Sequence, residues 1–198
     1  GKTGETSSDS PAYKNANGSQ PDGYLLIDGV TSEPEVIGKN KYSYLADDVK
    51  IEASTVFTEN GVYFFARAYD DKISWTAKNK FTKNTHFRLY FADKNGGYKQ
   101  IYIDAYNHKL FNNKITSGAS VTGKINSKNT VSFTAEAFVS WQELGYSSAI
   151  TRVRILPAYY RVENAGEGVS GKLILPPSVA SVSAVSSYPT FTANGYQS

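Results

Sequence analysis

The sequence contains no cysteine, no methionine and only two histidines in 198 residues. Without cysteine there are no disulfides and no thiolate metal sites. The compartment stays open on that ground, although the absence fits exported domains built without disulfide staples. Two histidines, with no G-x-S-x-G and no H-E-x-x-H pattern, leave hydrolase triads and zinc proteases without support. No apolar run approaches the ~20 residues that cross a bilayer as a helix, so no membrane insertion is expected. The net charge is only +3 and lysine is spread thinly. A phosphate-tracking basic stripe for nucleic acid is therefore missing. The absent initiator methionine reads as part of a longer chain or a mature form.

Tyrosine, in contrast, is plentiful: 15 residues, beside 10 Phe and 2 Trp. A ring with a wet hydroxyl suits both exposed strand faces and binding surfaces. The clearest pattern is the stretch His86 to Tyr106. Phe87, Leu89 and Phe91 alternate with His86, Arg88 and Tyr90; Ile101, Ile103 and Ala105 alternate with Gln100, Tyr102, Asp104 and Tyr106. Asp93 to Gly97 between them is turn chemistry, and a period of two over this length predicts an antiparallel hairpin with one buried face.

Residues 1–22 are Ser, Asn, Gly, Asp and Pro with almost no apolar anchor, which predicts a linker. Strands are expected at Tyr24–Ile27, Tyr42–Ala46 and Val49–Phe57, then across an Asn60-Gly61 hairpin to Val62–Tyr69, which is apolar on both faces and hence central. Lys72 to Asn84 reads as a basic loop holding Trp75. Further strands follow at Val121–Ile125, Thr130–Val139, Thr151–Leu156, ending before Pro157, and Lys172–Leu175. Ser140 to Gly145 predicts one helical turn, with Ser140 as N-cap and Gly145 as stop. Roughly nine or ten short strands at this spacing predict an all-β antiparallel β-sandwich, jelly-roll or immunoglobulin-like, over residues 23–177. Residues 178–198 are left as an edge strand or a linker.

Several short motifs, in order, resemble family 9 carbohydrate-binding modules. Ile27-Asp28-Gly29 with Glu33-Pro34 is similar to that family's opening, and Val62-Tyr63-Phe64 followed by Tyr69-Asp70-Asp71 to its next strand. Glu136 to Gly145 is similar to its "E..IPW..LG" segment, and Gly171 to Leu175 to its closing "FG.L.L". The resemblance spans residues 24 to about 176 and implies a CBM9-like sandwich of the wider DOMON-like group. It implies a non-catalytic module that clamps sugar between aromatic rings, with polar side chains on the hydroxyls. Gln100 matches such a contact, Arg88 stands where an acidic residue is usual, and Trp141 falls on a packing position. A haem-binding DOMON reading would need Met/His ligation, and the chain has no Met.

Sugar recognition needs flat rings against C–H faces and planar polar groups for hydroxyls. The candidates are Trp75 in its basic loop, Tyr159 and Tyr160 where a strand opens into a loop after Pro157, and Tyr69, Arg67, Arg88, Gln100 and Tyr102 on one outward face if their strands lie side by side. The expected partner is a polysaccharide or oligosaccharide, starch-type α-glucan or plant cell-wall glycan. The expected protein is an extracellular, secreted or cell-surface monomeric module of a larger multidomain chain. A structural or adhesive sandwich docking another protein domain is the alternative. No cofactor is expected, with structural calcium at Asp47-Asp48 or Asp70-Asp71 as an open case.

Overall fold

A computed structural model describes residues 41–71, 83–104, 119–125, 131–162, 171–193 and 195–197. They form eleven strands: β1 (Tyr42–Ala46), β2 (Val49–Phe57), β3 (Gly61–Tyr69), β4 (His86–Ala92), β5 (Tyr98–Asp104), β6 (Ala119–Ile125), β7 (Val131–Ser140), β8 (Arg152–Arg161), β9 (Lys172–Ile174), β10 (Thr190–Thr192) and β11 (Gly195–Gln197). One sheet has the order β1-β2-β3-β7-β6; the other runs β11-β10-β8-β4-β5, with β9 also paired to β8. Every pairing is antiparallel. The result is the all-β sandwich that the alternating sequence predicts. The expected strand at Tyr24–Ile27 lies outside the described residues.

Period-two alternation sets the core. Val62, Phe64, Ala66 and Ala68 of β3 face Phe87, Leu89 and Phe91 of β4 across the sandwich, all fully buried. The Phe64 ring meets Phe91 and Phe191 edge-on, each at 5.7 Å between centroids. Edge-to-face contact of this kind adds about 0.5–1.5 kcal/mol beyond area burial. β3 is central in its sheet, as its two apolar faces require.

The turns have identifiable causes. Asp47 and Asp48 both take positive φ, 49° and 66°, which closes a two-residue turn between Ala46 and Val49. Asp93 Oδ1 accepts the backbone N–H groups of Asn95 and Gly97 and shapes the β4–β5 turn. Ser140 Oγ accepts from the Glu143 N–H at 3.1 Å, and Gly145 at φ 92° ends that turn. Trp141 is buried in the core, its indole N–H donating to the Thr58 carbonyl at 3.0 Å.

Two sequence expectations are corrected here. β8 does not stop before Pro157 but runs through it to Arg161. The Ile155 N–H points to the β10 side, where it donates to the Pro189 carbonyl. Alternation turns the Pro157 nitrogen the same way. On that side β10 pairs only 152–154 and β9 only 159–161, so the missing N–H falls in a gap. The Tyr44 hydroxyl, from the other sheet, donates to the Pro157 carbonyl at 2.7 Å. The second correction concerns neighbours: β3 and β4 lie in different sheets.

The segment after β9 is an added layer. Val179 and Tyr188 are buried against Tyr90, Leu156 and Ala158 on the outer face of the second sheet. Phe191 on β10 belongs to the main core.

Candidate functional site

On the outer face of the second sheet, β5, β4 and β8 lie side by side, with Arg88 opposite Tyr102 and His86 opposite Tyr160. The Arg88 guanidinium sits over both tyrosine rings, 4.5 Å from the Tyr102 centroid and 4.2 Å from that of Tyr160. A guanidinium between two aromatic faces is held by cation–π attraction on each side. Its edge is held as well: Nε donates to His86 Nε2 at 2.9 Å. His86 is fully buried, its Nδ1 is 2.7 Å from the Asn84 carbonyl, and its ring lies between the same two tyrosines at 5.3 and 5.1 Å. An imidazole that accepts at Nε2 must carry its proton on Nδ1, which is the arrangement the Asn84 carbonyl satisfies. The Tyr160 hydroxyl accepts from the Gly171 N–H at 3.3 Å.

Further along this face Tyr90 lies opposite Gln100 and edge-on to Tyr98 at 5.1 Å. Burial pushes the Tyr90 hydroxyl well above its ordinary range; Tyr102 adds to this and Arg88 opposes it. Tyr98 is one of two large apolar residues left exposed among the described residues. Arg88, Gln100 and Tyr160 are half-buried, whereas Tyr102 is buried, with 9% of its surface exposed. The face therefore offers ring edges and a guanidinium that is already fixed, with the Gln100 amide on the neighbouring strand, a surface able to hold hydroxyl-rich ligands at reduced ordering cost.

Of the residues singled out in sequence, Arg88, Gln100, Tyr102 and Tyr160 come together here. Tyr159 does not: it is turned into the core, where its hydroxyl donates to Asp70 Oδ2 at 2.8 Å. Arg67 and Tyr69 lie on the outer face of the opposite sheet. There the Arg67 guanidinium donates to the Tyr69 hydroxyl (2.9 Å), which contacts Glu52 at 3.3 Å. Glu52 is itself paired with Lys41 at 3.0 Å and Lys50 at 3.4 Å. Burial raises the Glu52 carboxyl, but the two lysines outweigh it and hold it below its ordinary value. Trp75 lies outside the described residues. Sequence reasoning missed the positioning role of His86 and the exposure of Tyr98; for His86 the signal was its i, i+2 spacing from Arg88.

One member of each acidic pair considered for calcium has a cationic partner. Asp70 forms a buried ion pair with Arg161 at 2.9 Å, and Asp47 pairs with Lys172 at 2.6 Å. Among the described residues no three His, Asp or Glu side chains gather as metal ligands.

The two-sheet architecture is a β-sandwich whose fold is shared with carbohydrate-binding modules. It is the fold of family 9. The chain is similar to a carbohydrate-binding module family 9 from Caldicellulosiruptor kristjanssonii in complex with cellotriose, with TM-score 0.50, 10% identity, and 75% of this chain and 77% of that one covered. It is likewise similar to a family 9 module from the same organism in complex with glucose, with TM-score 0.50, 9% identity and coverage of 87% and 88%. No protein-family model matches the sequence, and no curated protein matches it. The likeness is one of fold.

Proposed function

We propose that this chain is a non-catalytic carbohydrate-binding module that holds a larger secreted or cell-surface protein on a polysaccharide. The observation that carries the reading is the Tyr102–Arg88–Tyr160 stack, fixed by His86 and flanked by Gln100 and Tyr98 on one face. Ring edges of the stack and the exposed Tyr98 ring give apolar surface for sugar C–H groups, and the arginine and the amide give planar groups for hydroxyls. The solved structures of like fold hold cellotriose and glucose. A glucose-based glycan is accordingly the first ligand to try, β-linked before starch-type. Trp75 remains part of the proposal as a second aromatic contact.

Affinity electrophoresis in gels containing β-glucan, xylan, soluble starch or no polysaccharide tests this. Retardation is expected in one glycan gel. Tyr102→Ala should weaken it about ten-fold, the loss of ~1.4 kcal/mol of ring contact. Trp75→Ala in the same gels reports whether that ring shares the ligand. Retardation untouched by Tyr102→Ala and by Arg88→Ala would move the site off this face. No retardation in any gel would put the protein-docking reading ahead.

A further inference from the structure

At the far end of β8 from Tyr160, about 20 Å along an extended strand, a groove of about 470 Å³ opens beside the β4–β5 turn and the start of β8. That volume lies within the ~300–1,000 Å³ of small-ligand sites. Its walls include Lys94, Arg152, Arg154, Tyr146, Ser186 and Thr190. Three cations thus face one carboxylate, Asp93, whose Oδ1 already accepts two backbone N–H groups. Lys94 and Arg152 are exposed, and among the described residues neither forms an ion pair. Arg154 is fixed, with Nη1 donating to the Tyr188 carbonyl at 2.9 Å. The Tyr146 N–H donates to the Trp141 carbonyl at 3.0 Å, and the residue packs against the core.

Cations gathered along a concave wall raise the local concentration of anions. A single small anion would need neither a ring nor hydroxyls. A groove lined by a ring, by cations and by Ser186 and Thr190 fits a pyranose that carries an acidic group. We propose that this groove is a second ligand site, for an acidic saccharide unit whose ring lies against Tyr146 and whose carboxylate or sulfate meets Lys94 and Arg152. Both anions accept paired N–H donors from arginine, so the chemistry is shared.

Calorimetric titration of the full chain at low salt distinguishes the sources, using polygalacturonate for carboxylate and dextran sulfate for sulfate. Binding of one or both is expected. Arg152→Gln combined with Lys94→Gln should weaken it at least about ten-fold, while Tyr102→Ala leaves it unchanged. Lys50→Gln, which removes a like charge from the exposed face of the other sheet, measures the effect of net charge alone. The proposal is overturned if neither polyanion binds, or if Lys50→Gln weakens binding as much as Arg152→Gln does by itself. It is overturned also if an oligothymidylate binds as tightly through the same residues, which would assign the groove to phosphate. Neutral-glucan retardation and its loss in Tyr102→Ala are read separately, so the two sites can fail independently.

Discussion

The hydroxyl of Tyr44 crosses the core from β1 to the carbonyl of Pro157, a buried bond between the two sheets. Phenylalanine at this position would leave that carbonyl unsatisfied, at about 1–3 kcal/mol. Tyr44 also bears on alkaline stability. Burial, reinforced by Tyr42, holds its hydroxyl well above the ordinary 10.0, and burial with Asp70 does the same for Tyr159. A hydroxyl whose pKa is raised by folding binds its proton more tightly in the folded state. Its contribution is full below the unfolded value and is lost as pH climbs above it. Tyr44→Phe should therefore lower the melting temperature at neutral pH and flatten the decline above about pH 10. Melting curves between about pH 7 and 11 check both, and an unchanged alkaline slope would refute the second. At this scale the sequence was partly legible. A period of two carries the inward side of Val153 and Ile155 on to Tyr159 only if the strand runs through Pro157, where the sequence pattern predicts an end. Asp70 and Arg161 then satisfy the inward Tyr159 hydroxyl in a buried ion-pair network.

The β2–β3 hairpin shows what a turn motif does and does not convey. Asn60-Gly61 marks the place of the turn, yet Gly61 is absent from the positive-φ glycines and opens strand β3. Thr58 organises the loop. Its Oγ1 accepts from the N–H groups of Asn60 and Gly61 at 3.2 and 3.1 Å and donates to the Gly61 carbonyl at 2.9 Å. Glycine is needed for room, since a Cβ would run into the Val139 carbonyl and the Phe138 ring. Gly61→Ala should cost about 1–3 kcal/mol as an overpacking change, measurable by urea denaturation. A cost near zero would mean that β7 can step back. Hairpins such as β4–β5 were legible because register follows from alternation and turn together. The length of β8 was not, because tolerance of Pro157 depends on a gap between β9 and β10 that only the assembled sheet creates.

Across the whole molecule, strand order was the part that local pattern could not supply. Arg67 and Tyr69 share a period with Arg88 and Tyr102, but their strands lie in opposite sheets, so the outward residues divide between two faces. The sequence pattern allows an edge strand after residue 177 but does not reveal the covering layer that precedes β10. A chain ended at Leu175 would lose Phe191 from the core and Val179 and Tyr188 from the cover over Leu156. At roughly 1.5–3 kcal/mol for each buried side chain, that loss rivals the whole stability margin of a domain. Such a chain should show no cooperative melt and should bind a hydrophobic dye, whereas a melt within a few degrees of the parent would refute the integral role of the layer. The position of Phe191 has a consequence in time as well as in space. Its ring closes against Phe64 and Tyr42, residues far earlier in the chain. Those contacts can form only after position 191 has been made, so this part of the core is the last to close in the chain's order. Folding with so many distant pairings takes ~milliseconds to seconds.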